Sequence, residues 1–351
     1  MTYRGGWRRT AFALCVLAGL LAGIPAEAQR KDPFDVEARE YLGTPESEAA
    51  VRRGLEFLAA RVQSDGHWSS DGLSADAAIT GLCTMAFLAS GHQPGRGKYG
   101  SILTKAVDWL ADSVQQSGFV NRPGGSGQPM YGHGFATLAL AELYGMTHRA
   151  DLRPKLESAV RLILATQNAE GGWRYQPTVA DADISVTAVQ VLALRAAHNA
   201  GIRVPQEPVR RAVGYIKKCA NNRDGGFSYQ ANSRGSGPGR TGAALTCLAL
   251  CNEKDSAEYK GGLQYLREHP MDKYEWAYRE HFMYAMYYCT QAFYQVGGAE
   301  WKAWFVPLRQ RLIAQQQKSG CWSDSPGEEY ATAMAVLVLQ VPAGLLPIYQ
   351  K

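Results

Sequence analysis

Three places in this 351-residue chain set an acid one helical turn ahead of a threonine: Asp76 before Thr80, Asp183 before Thr187 and Glu328 before Thr332. Asp183 is the most suggestive, because Asp181 stands two residues ahead of it in Asp181-Ala182-Asp183-Ile184. Carboxylates set close together are suited to moving a proton to or from a substrate. The same acids have a plainer use. At the start of an apolar helix they accept from unpaired N–H groups at the positive end of the dipole. Capping and ligand contact both fit the pattern. A carboxylate met by several helix N-termini is expected to have a depressed pKa, which counts against Asp183 as a proton donor.

Further candidates gather in the same loops. His133 lies between glycines in Met130-Tyr131-Gly132-His133-Gly134, which permits close approach by a ligand. Arg240 follows Gly235-Ser236-Gly237-Pro238-Gly239, a flexible loop without the preceding strand that a phosphate-binding loop needs. Tyr131, Trp173, Tyr175, Tyr229, Trp276, Tyr278 and Tyr284 fall in or near these loops. They suit an apolar or sugar-binding mouth, with some reserved as packing anchors. Alignment of the apolar segments puts Thr80, His133, Thr187, Thr241 and Thr332 in one register, with His281 or Tyr284 as a further counterpart. No zinc spacing, nucleophile elbow or phosphate loop occurs, so neither metal nor cofactor is expected.

The elements that position these residues repeat. An amphipathic segment leads to Gln or Asn, then a glycine turn ending in an aromatic, a polar loop and a second, apolar segment. The first copy runs through Gln63 and Gly66 to Trp68, the third through Gln167 and Gly171-Gly172 to Trp173, the last through Gln317 and Gly320 to Trp322. Gly118-Phe119 and Gly225-Gly226-Phe227 end the second and fourth. The fifth falls near Trp276, giving units of about 50 residues. The second segments, such as ATLALAELYG and SVTAVQVLALRAA, are apolar all round and so read as helices buried on every side. The first segments carry a polar stripe. Twelve helices in two concentric rings are the expectation, an all-α α/α toroid, with an open superhelix of helix pairs as the alternative.

The signature Gly-x-x-aromatic-Leu…Gln-x-x-Gly-x-Trp, complete around Gly54 to Trp68, resembles the repeat of squalene–hopene cyclases and protein prenyltransferase β subunits. The resemblance spans about residues 45–342. It implies an α/α toroid with a central cavity, and enzymes of that class bind isoprenoids there. Their catalytic motifs are incomplete here. Asp181-Ala182-Asp183-Ile184 matches three of the four defining positions of the cyclase acid motif. If Thr187-Ala188 is aligned instead with the motif's closing Thr-Ala, Ser185 takes the acid's place. The prenyltransferase zinc set of Asp, Cys and His has no counterpart around His281, and the complement-type thioester sequence is missing.

Residues 1–28 combine Arg4, Arg8 and Arg9 with an apolar run from Ala11 to Ile24 and Ala26-Glu27-Ala28. That is the layout of a cleaved secretory leader, and the run is short of the ~20 residues a membrane span needs. The expected organisation is a leader at 1–28, an extension at 29–43 and the toroid at 44–351, working outside the cytoplasm. Charged residues make up 20% of the chain and the formal charge is +5, with no basic block, so nucleic acid is not an expected partner. The six cysteines beyond the leader fit either free core thiols or disulfides. The functional expectation is a toroid that binds an apolar, glycan or protein ligand at one mouth. Asp183, Asp181 and His133 are its candidate catalytic groups. Asp76, Tyr131, Tyr175, Tyr229, Arg240, His281 and Glu328 are its candidate ligand contacts. The alternative is a terpenoid-cyclase-like or carbohydrate-active enzyme using Asp183 as acid or base.

Overall fold

The computed structural model describes residues 42–70, 76–125, 127–147, 149–271 and 281–350. The expected leader, Trp276 and Tyr278 lie outside the described residues. Twelve α-helices are described: α1 Pro45–Arg61, α2 Ala77–Ala89, α3 Gly100–Asp112, α4 Pro129–Thr147, α5 Leu152–Ala165, α6 Ile184–Asn199, α7 Gln206–Lys218, α8 Pro238–Leu250, α9 Ala257–Glu268, α10 Phe282–Val296, α11 Gly298–Gln315 and α12 Glu328–Gln340. Strand pairing among the described residues is confined to isolated bridges such as Trp173 with Asp183.

The even-numbered helices form the inner ring. Each packs on the next, and α12 packs back on α2. The odd-numbered helices lie outside, and α11 likewise meets α1. The ring is therefore closed, and the open superhelix is set aside. Sequence explains the division. Nearly every residue of α2 is buried, whereas α7 buries only Ala212, Val213, Tyr215 and Ile216. An apolar helix without a polar stripe can be accommodated only where neighbours cover all its sides. All six cysteines of the described chain are free thiols.

One junction recurs around the ring. Gly66, Gly118, Gly171, Gly225 and Gly320 all have positive φ. A Cβ on any of them would fall within 3.0 Å of the backbone of the following repeat's outer helix, at Lys105, Ser158, Arg211, Gly261 and Arg53. Glycine is required twice over, by conformation and by contact. Two residues later comes a buried anchor. Trp68, Trp173 and Trp322 each donate Nε1–H at 2.7 Å to an outer-helix carbonyl, of Leu58, Ile163 and Leu312. These carbonyls are among those a helix end leaves unpaired.

Two sequence assignments shift at this junction. In the second repeat the anchor is Val120, fully buried, while Phe119 is half-buried and its ring lies 5.7 Å from His133. In the last repeat Gln316, not Gln317, is the counterpart of Gln167. Gln167 donates to Gly171 O and Pro208 O, and Gln316 to Gly320 O and Ala50 O, all at 2.8 Å. The last repeat thus grips the first by the bond the third uses on the fourth.

The tail after α12 runs through two short 3₁₀ turns, Val341–Ala343 and Pro347–Tyr349, and covers the end of the barrel where the inner helices finish. Ile348 and Tyr349 are buried there, and Ile348 N donates to the buried carboxyl of Glu142 at 3.4 Å. Burial pushes Glu142 up from 4.5 to about 8. Along the axis Phe135, Tyr287, Tyr288, Tyr330 and Tyr349 are all buried. Tyr288 stacks edge-on against Tyr284 at 4.9 Å and Tyr287 at 5.0 Å.

Candidate functional site

The threonines of the common register are structural. Thr80, Thr187, Thr241 and Thr332 accept the backbone N–H of Trp68, Trp173, Phe227 and Trp322 at 3.2, 3.1, 3.0 and 3.1 Å. His133 does the same in the second repeat, where Nδ1 accepts from Val120 N at 3.1 Å. It is fully buried, and desolvation lowers it to about 3. An imidazole that stays neutral and spends one nitrogen on a backbone amide is a fold element, so the structure places His133 outside the mouth as a substitute threonine.

The acids divide. Asp76 and Asp183 are N-caps of the same form. Asp76 Oδ1 accepts from Ala78 N at 2.7 Å and Ile79 N at 3.2 Å, and Asp183 Oδ1 from Ser185 N and Val186 N, both at 2.9 Å. Glu328 is half-buried and does not cap α12, whose N-cap is Gly327 at φ 143°. Its neighbour Glu329 is the buried acid, paired with Arg61 Nε at 2.8 Å and accepting from Ser70 Oγ at 3.3 Å. His281 is exposed at the start of α10 with a left-handed backbone and caps nothing.

Asp183 is different from Asp76 in what faces its second oxygen. Oδ2 is buried, has no close hydrogen bond, and lies 3.8 Å from Arg174 Nε. The same guanidinium pairs with Asp181 and sits over the rings of Tyr175 and Tyr229, 5.0 and 5.7 Å from their centroids. Burial raises Asp183 from 3.8 to about 6, against the lowering effects of the Val186 and Ser185 amides, Arg174 and the Tyr229 hydroxyl. The depressed pKa expected from the helix terminus is therefore corrected. Desolvation by the surrounding tyrosines outweighs two amide hydrogen bonds.

Four half-buried tyrosines surround this carboxyl. The hydroxyls of Tyr175 and Tyr229 share a hydrogen bond, and Tyr284 donates to Ser185 Oγ at 3.0 Å. Tyr131 lies 6.2 Å from Tyr175 ring to ring, and its phenol is pushed well up, first by burial and then by Asp183. Their placement follows from the repeat. Tyr175 and Tyr229 stand two residues past their anchors, and their carbonyls accept from Met130 N at 3.0 Å and Ile184 N at 2.9 Å. Each loop thereby caps the inner helix of the preceding repeat and turns its tyrosine over the mouth. Asp324 holds the same place in the last repeat and accepts from Met283 N at 2.7 Å through its side chain. Arg240 adjoins Tyr284 from the start of α8 and donates to Gly235 O at 3.3 Å.

The mouth thus brings together Asp183, Asp181, Tyr131, Tyr175, Tyr229 and Arg240. It leaves out His133, while Asp76, Glu328 and His281 serve other places at the same end of the inner ring. Sequence reasoning missed Arg174, Ser185 and Glu329. Arg174 had a signal, as the basic residue between an anchor and a mouth tyrosine in Trp173-Arg174-Tyr175. Among the described residues no group of three or more His, Cys, Asp or Glu side chains is arranged to hold a metal, and no helix is long and apolar enough to cross a membrane.

No family model matches the chain, and no curated protein does. Solved structures do. A substrate complex of the type II terpene cyclase MstE from Scytonema superposes with a TM-score of 0.58 at 14% identity, covering 86% of this chain and 98% of that one. The GH76A α-1,6-mannanase from Salegentibacter sp. HEL1_6 gives 0.59 at 11% identity, covering 86% and 99%. A family 76 glycoside hydrolase from Bacteroides thetaiotaomicron gives 0.59 at 11%, covering 86% and 98%. At these identities the likeness is one of fold. The chain is an α/α toroid with the fold of type II terpene cyclases and family 76 mannanases.

Proposed function

We propose that the mouth binds a small hydroxylated ligand of the sugar class. The observation that carries this reading is the set of half-buried tyrosines around Asp183, with hydroxyls already bonded to one another and to Ser185. Each offers a flat apolar face and a polar edge, the combination that sugar rings require. Phe135 of α4 and Tyr287 of α10, on inner helices that are not neighbours in the ring, meet ring to ring at 6.4 Å, so buried aromatic side chains reach across the interior where a long isoprenoid would otherwise lie. The neighbours solved with α-1,6-mannotriose and mannotetrose support a glycan, and the cyclase solved with a geranylgeranyl substrate supports the apolar alternative. Both favour a small molecule over a protein partner.

Calorimetric titration with α-1,6-mannotriose and other neutral oligosaccharides, beside geranylgeraniol, tests the reading. Saturable binding of a sugar that weakens in Tyr175→Ala and Tyr229→Ala is the expected result. Binding of geranylgeraniol alone overturns it.

One observation favours a second, enzymatic reading. A buried carboxyl held near 6 beside an arginine is matched to proton transfer close to neutrality. Turnover that has a pH limb near 6 and vanishes in Asp183→Asn would make the protein a carbohydrate-active enzyme. We further propose that residues 1–28 are removed on export. Intact-mass analysis of exported protein should then find a chain starting near Gln29, and retention of Met1 would refute it.

A further inference from the structure

The turn that carries the anchor of the first repeat also brings an acid, an imidazole and a hydroxyl into contact. In Asp65-Gly66-His67-Trp68-Ser69, Asp65 Oδ1 meets His67 Nδ1 at 2.6 Å, and Ser69 Oγ meets His67 Nε2 at 3.3 Å. The local chain explains the alignment. His67 and Ser69 flank the buried Trp68, and residues two apart on extended backbone share a face. Gly66, at φ 102°, turns Asp65 back toward that face, where its Oδ1 also accepts from His67 N at 3.4 Å.

The partners fix the proton. An ionised carboxylate can only accept, so Nδ1 carries the ring hydrogen and Nε2 is the basic nitrogen, to which the Ser69 hydroxyl donates. Partial burial works against the charge on Asp65, but the hydrogen bonds from His67 hold its carboxyl below the usual range. The imidazole is steadied by the buried Trp109, with ring centroids 5.3 Å apart and planes 26° from parallel. Nucleophile to base and base to acid is the relation that activates a serine, and it is recognised by geometry rather than by order in the chain. The anchor turn does not itself demand these groups. The third and fourth repeats build it with Gly172 and Gly226 in the place of His67, and the third has Arg174 in the place of Ser69. The trio is also within reach of a substrate, since His67 and Ser69 are half-buried and Asp65 is exposed.

We infer that Ser69, His67 and Asp65 form an esterase site for short acyl esters of small alcohols, apart from the sugar-binding mouth and independent of it. The Ser69 oxygen bonds to the acyl carbon while its proton passes to His67 Nε2. The ester C–O bond breaks, and the departing alcohol takes that proton. Water, deprotonated in turn by His67, then cleaves the acyl-serine, releasing the carboxylic acid and restoring the hydroxyl. The Asp65 side chain is 53% exposed, so its support of the imidazolium is weaker than that of a buried acid. That suits the better leaving group of an ester over that of an amide, and the open setting suits a short acyl group.

The test uses the full chain with p-nitrophenyl acetate as substrate and, separately, a fluorophosphonate label located by peptide mass spectrometry. The label should sit on Ser69, and turnover should exceed that of Ser69→Ala at least about tenfold. His67→Gln should lose both label and turnover. Asp65→Asn should slow turnover about tenfold with no change in melting temperature. Ser64→Ala, one residue outside the trio, should change neither. The label is read on the unmodified sequence, so a variant that folds poorly does not decide the outcome. No label on Ser69, hydrolysis undiminished in Ser69→Ala, or label and turnover intact in His67→Gln overturns the proposal.

Discussion

Replacing Glu142 by glutamine should make the protein more stable at neutral pH and no more stable in mild acid. Glu142 lies on α4 near the end of the barrel that the tail covers, is buried, and has Ile348 N as its hydrogen-bond donor at 3.4 Å. The ionisable groups that face it are the buried phenols of Tyr287 and Tyr349. Burial raises its pKa from 4.5 to about 8. The folded state therefore keeps a proton that the unfolded chain has lost between those values. Stability from this group is full below 4.5, declines as pH rises, and levels off above 8. The slope is about 1.4 kcal/mol per pH unit, so the burden at pH 7 is about 3 kcal/mol. Glutamine keeps the shape and an acceptor for Ile348 N without carrying that proton linkage. Urea unfolding of both proteins at pH 4 and pH 7 gives the comparison, and other titrating groups cancel in the difference. An advantage for Glu142→Gln of equal size at both pH values, or a loss at pH 7, would refute the argument.

Other outcomes follow from the same geometry. His133, lowered from 6.5 to about 3, makes the fold lose stability as pH drops through that window, so His133→Thr should flatten the acid limb of a stability-against-pH curve by about 1.4 kcal/mol per unit; an unchanged limb contradicts it. Trp173→Ala should cost about 3–5 kcal/mol in urea unfolding. Trp173→Phe should cost about 1–3 kcal/mol, through the smaller ring and the loss of the Nε1 bond to the Ile163 carbonyl, which is left with the 3.3 Å bond from Thr166 Oγ1. Losses under about 1 kcal/mol in both would mean the anchor is exposed in solution. Gly171→Ala should destabilise more than Gly201→Ala. Both have positive φ, worth about 1–2 kcal/mol, but only Gly171 also meets the Arg211 backbone, adding about 1–3 kcal/mol. Asp183→Asn should keep the α6 cap and the melting temperature, and should remove a pH dependence of ligand binding centred near 6; a dependence that survives assigns it to another group.

The rings and the repeat were legible because they rest on periodicity, which is a local property of the chain. The acid–threonine register was legible too, but not its meaning. Thr187 was visible as a recurring position, whereas its bond to Trp173 N depends on the loop folding back over α6. His133 looked chemical for the same reason: flanking glycines mark close approach, but what approaches them is Ala77 of α2 and Val189 and Gln190 of α6, while the imidazole takes the Val120 amide of its own repeat. The second-repeat anchor was misplaced by one residue because an aromatic, Phe119, sits beside the valine that fills the slot. The pKa shift of Asp183 runs against the sequence expectation because helix termini can be read from sequence and desolvation cannot; the tyrosines that shield it come from its own repeat and three others. Glu142 passed unnoticed inside an apolar segment, since only the tail that closes over it makes it unusual.

A closed ring has no terminal unit, and this changes how the molecule comes apart. In a linear array an end repeat detaches by giving up one interface, so such arrays fray from the ends. Here every repeat is held on two sides, the last on the first by the Gln316 bond and the Gly320–Arg53 packing. Releasing any one repeat breaks two junctions and opens the ring, and the remainder becomes an array with free ends. Local opening is thereby penalised and global opening is favoured once begun. Trp68, Trp173 and Trp322, which report from three different repeats through the same Nε1 bond, should lose their signals together.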